Sequence, residues 1–265
     1  MSLTASSFAL TASSFALSVA VAIAAGLVGA FALMRRMSLA ADALSHVALP
    51  GIGVALLLRV NVLAGAIFAL VAGALLIWAL ERRTRLSADA IIGVVFSAAL
   101  AIGALLTTSE ELIDALFGGA SPASSWELVV GITGAAGIVA FVLLAKDRLL
   151  LTFVSSDVAR TAGIDVRRLD LFYLLACALV VALGLRYLGA LLMGSLMIIP
   201  AATARHVARS VRQMLAGSAL LAAGAMAAGM WLAMRLHRES GPLVVACASL
   251  CFFVVLGVRR QRRAA

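Results

Sequence analysis

The sequence predicts an all-α, polytopic integral membrane protein, and three features carry that prediction. Apolar runs close to the ~20 residues needed to cross ~30 Å of hydrocarbon recur nine times along 265 residues. Charged residues make up only 12% of the chain against 64% hydrophobic ones, whereas a soluble domain carries about 25% charge; the mean hydropathy is +1.14. Finally, 17 of the 21 Lys and Arg residues concentrate in alternate connections between the runs, the bias that orients helices in a bilayer.

In chain order the candidate spans are 15–34, 39–58, 62–80, 90–107, 126–145, 169–185, 188–204, 214–234 and 241–258. Before the first, Thr4–Leu10 is repeated as Thr11–Leu17. This tandem copy lacks the basic start of a cleaved signal peptide, so it reads as the lead-in to the first helix. The connections poor in basic residues hold only Arg59, Arg186, Arg235 and Arg238. That split puts the N-terminus outside and the C-terminus in the cytoplasm. Eight spans is the competing count, with the weakly separated 169–204 pair or the first segment behaving differently. The whole chain, 1–265, reads as one transmembrane domain.

Net charge +9 would fit nucleic acid, but the arginines sit between apolar spans, where they set topology, so no nucleic-acid partner is expected. Cys177, Cys247 and Cys251 lie in apolar runs without CxxC spacing and read as small core hydrophobes.

Two connections are long enough for structure of their own. The outer one, 108–125, carries Glu110, Glu111 and Asp114 and then Gly118-Gly119-Ala120-Ser121-Pro122, a short amphipathic helix followed by a loop. The inner one, with its helical segment at 153–165, offers Ser155 or Ser156 as a helix cap and Gly163 as a terminator. On its residues alone it serves equally well as a docking element for a soluble partner or as an amphipathic linker.

Chemistry concentrates in Asp42 and His46, four residues apart in an apolar segment and followed by Pro50-Gly51. Four residues apart on a helix puts both on one face. An ionisable group inside a bilayer costs roughly 2.5–3.5 kcal/mol on the insertion scale, so the pair marks a site for a cation or a proton. Other polar residues have plainer readings. His206 follows Arg205 at a helix end where a cation is favoured. His237 lies among arginines that would repel a bare metal ion, and Asp89 and Asp170 read as helix caps. Gly51 and Gly53 permit close helix contact, and Pro200 should kink or end its helix beside Thr203, as packing or as a gate.

Five motifs stand in register with one family. These are DALSHVALPG after a span ending in Arg35-Arg36, Ile92-Gly93-Val94-Val95-Phe96, SSDVARTAGI followed by Arg167-Arg168-Leu169-Asp170, Ile199-Pro200-Ala201-Ala202-Thr203-Ala204, and Ser240-Gly241-Pro242. From about residue 15 onward the chain resembles the ABC-3 permeases, the membrane subunits of bacterial ABC importers for zinc, manganese or chelated iron. That resemblance implies a permease in the inner membrane that pairs as a dimer, most simply a homodimer. It implies a cytoplasmic ATPase that supplies ATP hydrolysis and an extracytoplasmic binding protein that delivers the metal. It also implies that Asp42 and His46 line the metal pathway, and that Ser156, Asp157, Ala159, Arg160 and Gly163 belong to the coupling helix seated in the ATPase. One departure is visible: Ala41 stands where the family usually has Gly.

The residues agree that energy comes from another chain. No GxxxxGK[ST] phosphate loop is present, and the single lysine, Lys146, lacks its glycine frame. The chain is therefore not expected to be an enzyme or to hold a permanent cofactor. Two protomers meeting near the second helix would supply two carboxylates and two imidazoles, a set open to Zn²⁺ or Mn²⁺. Imidazole favours zinc as the cargo, with manganese second and chelated iron third. An intramembrane enzyme using Ser195 fails for want of GxSxG or HExxH. A stand-alone secondary carrier would have no use for a docking helix.

Overall fold

The computed structural model describes residues 5–37, 40–106 and 125–264. The outer connection expected to hold a short helix falls almost wholly outside them.

Among the described residues, every regular element is helical. The order is α1 (Ala5–Met34), α2 (Ala40–Leu57), α3 (Val62–Arg83), α4 (Ala88–Leu106), α5 (Ser125–Val154), α6 (Ser156–Thr161), α7 (Val166–Leu188), α8 (Ala190–Val207), α9 (Val211–Leu236) and α10 (Ser240–Ala264). Seven are long and apolar enough to cross a membrane. The other two long helices, α2 and α8, have 18 residues each, about 27 Å at 1.5 Å per residue. Each of the nine apolar segments thus becomes one long helix, and the weakly separated pair resolves into α7 and α8. Between them stands Gly189 at φ +82°, a conformation in which a Cβ would be strained.

Helix starts follow local chemistry. Asn61 accepts from the Leu63 and Ala64 amides at 2.9 and 3.2 Å and opens α3. Ser210 opens α9 by accepting from Gln213 N. Two assignments need correction. The cap of α7 is Asp165, which accepts from Arg168 N at 3.1 Å, and not Asp170, which lies over a turn further in. At α4 it is Ser87 that accepts from Ala90 N, while Asp89 sits in the first turn. Pro50 and Pro200 both lie inside helices, and α8 runs on through Pro200 to Val207.

Two helices organise the bundle. α1 packs against α9, α8, α5 and α7; α2 packs against α3, α4, α8 and α7. Small residues let these backbones meet. A Cβ on Gly26 would lie 2.7 Å from the Ser218 carbonyl oxygen, one on Gly29 would strike the backbone of Met197, and one on Gly51 would strike Gly65. Such contacts drive helix association in lipid, where apolar burial supplies no net force. Buried hydroxyls add cross-links: Ser218 donates to Gly26 O at 2.6 Å and Tyr173 donates to Val28 O at 3.0 Å. The outer surface is apolar, with Phe68, Leu144, Leu220 and Phe253 well exposed, as a lipid-facing surface requires.

One end of the bundle carries a charge cluster. Arg35, just past α1, reaches Glu81 of α3 at 3.2 Å and Asp170 of α7 at 3.5 Å, all three side chains mostly buried. Its guanidinium also lies 5.3 Å from the ring centroid of Phe153, at the end of α5. Nearby, Trp78 donates from Nε1 to Arg167 O at 3.1 Å, and Arg82 stacks on its ring at 4.3 Å. Residues from three of the arginine-rich connections therefore meet at the same end.

Candidate functional site

Asp42 lies in the first turn of α2 and His46 one turn later, about 6 Å further along the axis. Both are partly buried in a helix otherwise mostly buried. Their surroundings differ. Asp42 sits against α8, so closely that a Cβ on Gly194 would come 2.9 Å from Asp42 Oδ1 and 3.0 Å from its Cα. It lines a cavity of about 560 Å³ with Gly194, Ser195, Ile198 and Ile199 of α8 and Pro242 and Val245 of α10. Among the described residues lining it, Asp42 is the only ionisable one.

His46 is not among the cavity-lining residues. Its ring meets Phe96 of α4 edge-on at 5.2 Å between centroids. Its Nδ1 is buried and finds no hydrogen-bond partner in the protein, an arrangement that costs about 1–3 kcal/mol when a polar atom stays unsatisfied. Among the described residues no three of His, Cys, Asp and Glu converge closely enough to hold a metal ion, so one protomer presents two candidate ligands on one helix face and no more.

Pro50 and Gly51 continue α2 beyond His46, with Gly51 against Gly65 of α3. Pro200 and Thr203 belong to α8; Thr203 is buried and donates to Ile199 O at 2.8 Å. His206 is exposed at the end of α8 and lies 5.8 Å from the Phe252 ring, while His237 closes α9 with φ +50°. Neither histidine reaches the cavity.

The segment at 153–165 forms α6, and its ends explain why six residues suffice. Ser155 is the cap, accepting from Val158 N at 3.4 Å. Gly163 takes φ +77°, its amide donates to Arg160 O and the Ile164 amide to Ala159 O, both at 3.0 Å. That pair of bonds is the Schellman closure, which satisfies carbonyls at a helix end. Ala159 is buried beneath the helix, while Ser156, Asp157 and Arg160 are exposed. Asp157 and Arg160 form a loose pair at 3.7 Å, worth little at such exposure.

Two features escaped the sequence reading. Gly194 and Ser195 stand beside Asp42 although about 150 residues separate them in the chain, and no local pattern signals it. Glu81 did leave a trace: an acidic side chain in the last turn of a helix opposes the helix dipole.

Comparisons with known proteins agree with this architecture. A high-affinity zinc uptake system membrane protein, ZnuB of Haemophilus influenzae, is 30% identical over 241 residues, spanning 89% of this chain and 92% of its own. The manganese transport system membrane protein MntC of Listeria monocytogenes is also 30% identical, over 89% and 86% of the two chains. Among solved structures, a chain of PsaBC from Streptococcus pneumoniae in complex with Fab superposes with a TM-score of 0.80 at 26% identity, over 93% of this chain and 90% of that one. The profile of the ABC 3 transport family matches residues 7–259, and the chain belongs to that family.

Proposed function

We infer that this chain is the membrane permease subunit of an ATP-driven importer of a divalent transition metal, with zinc as first choice. The observation that carries the reading is the Asp42/His46 pair: a carboxylate on a cavity wall and an imidazole with an unpartnered nitrogen, one turn apart on a buried helix. Carboxylate and imidazole are the ligand types that zinc and manganese accept, and the absence of a thiolate from the pair favours release over storage. The relatives' names support metal transport and divide between zinc and manganese.

The remaining parts follow from what one chain lacks. A lone Asp–His pair leaves a metal under-coordinated, which favours a second protomer contributing its own pair across a twofold axis. A cytoplasmic ATPase supplies the energy, seated on α6, whose exposed Ser156, Asp157 and Arg160 offer polar contacts on a rigidly closed turn. A binding protein outside the bacterial inner membrane delivers the ion. Manganese is the second reading, favoured by the manganese-system relatives at equal identity. The test is uptake by the complete transporter carrying Asp42→Ala or His46→Ala. Both should abolish uptake while the ATPase still co-purifies with the permease; near-normal uptake in both variants would overturn the site.

A further inference from the structure

We propose that Arg35 is the positioning residue through which the α6 segment is coupled to the metal-bearing helix α2. The inference rests on the importer reading above and adds a residue that reading does not use.

Arg35 occupies the junction of four helices. It lies just past the end of α1 and seven residues ahead of Asp42 on α2. One arm of its guanidinium is hydrogen-bonded to Glu81 at the end of α3. The other, Nη1, is 3.5 Å from Asp170 of α7 and has no satisfied hydrogen bond despite being buried. The guanidinium face is turned to Phe153, two residues before the cap of α6. Phe153 in turn meets Tyr173 edge-on at 5.4 Å and Phe31 at 6.2 Å. Arg160 on α6 is among the positive charges acting on Asp170, with Arg35 and Arg82.

Arg35 thus joins the end of α5, which leads into α6, to α3 and α7, both of which pack against α2. Topology alone does not need a buried arginine there, because exposed arginines satisfy the positive-inside bias. A planar fork that holds two carboxylates from two helices while stacking on a third is a task lysine cannot duplicate. The half-satisfied arm gives the joint room to re-pair: a displacement of α6 and Phe153 changes how Arg35 divides itself between Glu81 and Asp170. The start of α2, a few residues along the chain, moves with it.

The experiment uses the complete transporter, with ATPase and binding protein, in proteoliposomes. Arg35→Met should assemble and hydrolyse ATP, yet the ATP consumed per metal imported should rise by about 5- to 150-fold, the range of ordinary allosteric coupling. Arg35→Lys should restore part of the loss. An unchanged ratio in Arg35→Met overturns the proposal. Should Arg35→Met fail to assemble, Glu81→Gln takes its place with the same readout, and an unchanged ratio there overturns it equally. A cargo-independent measurement separates this idea from the importer reading: spin labels at Leu58→Cys and Leu144→Cys in a background lacking the native cysteines. Trapping ATP should shift their distance distribution in the otherwise native chain and not with Arg35→Met. A wild type that imports no metal but shows that difference sinks the importer reading and sustains the coupling role. A shift that persists in the variant, or is absent from both, sinks the coupling role.

Discussion

Gly51→Ala is the sharpest test of how α2 is held. The added Cβ would lie 2.6 Å from Ala69 Cβ and 2.8 Å from the Gly65 carbonyl carbon, and closer still to the Gly65 oxygen. Carbon atoms settle at about 3.5–4.0 Å, so α2 and α3 must part by about 1 Å. Two of the three opposing atoms are backbone and cannot rotate away. Overpacking of this kind costs about 1–3 kcal/mol. The strain falls five residues beyond His46, about 7.5 Å along the helix, and a ligand misplaced by about 1 Å loses on the order of 10²-fold in rate. The assay is metal uptake in cells together with the thermal midpoint of the detergent-purified permease. Gly137→Ala is the control, since nothing lies within 4 Å of a Cβ at that exposed site on α5. Gly51→Ala should lose most uptake and several degrees of midpoint, while Gly137→Ala should lose neither. Full activity and an unchanged midpoint in Gly51→Ala would refute the claim that the Gly51–Gly65 contact sets the position of the proposed ligand pair.

Two further outcomes follow from single contacts. Gly163→Ala forces a Cβ into the left-handed conformation that closes α6, at a cost of about 1–2 kcal/mol, so association with the ATPase in a pull-down titration should weaken while folding of the bundle is unchanged. Ser218→Ala removes the buried bond to Gly26 O; interhelical bonds in membranes average about 0.6 kcal/mol with a maximum near 1.7, so the stability lost should lie within that range, seen as a small drop in thermal midpoint while uptake persists.

The architecture was largely legible from periodicity and charge. Hydrocarbon thickness fixes helix length, so apolar runs report helices directly, and α1 to α10 appear where the nine runs and the inner 153–165 segment stand. Gly189 marks the one boundary that composition left weak, because an isolated glycine between two apolar runs does not announce that it will take a positive φ. Asp42 and His46 were legible because charge within hydrocarbon is rare and costly, and their four-residue spacing survives as one turn of α2. What escaped were contacts between distant segments. Asp170 is read from the sequence as a cap because it stands near a helix start, yet the competing Asp165 is nearer and takes that role, which frees Asp170 for Arg35. Gly194 beside Asp42 depends on how α8 crosses α2, and helix crossing is set by packing that no local pattern encodes.

The central claim is that a divalent metal crosses the membrane by way of Asp42 and His46. Its most direct test is uptake of ⁶⁵Zn²⁺ and ⁵⁴Mn²⁺ by cells that carry this chain with its ATPase and binding protein, compared with His46→Ala. Loss of zinc uptake in the variant is the expected result, and loss of manganese uptake instead would keep the pathway and change the cargo. Undiminished uptake of both ions in His46→Ala would contradict the account.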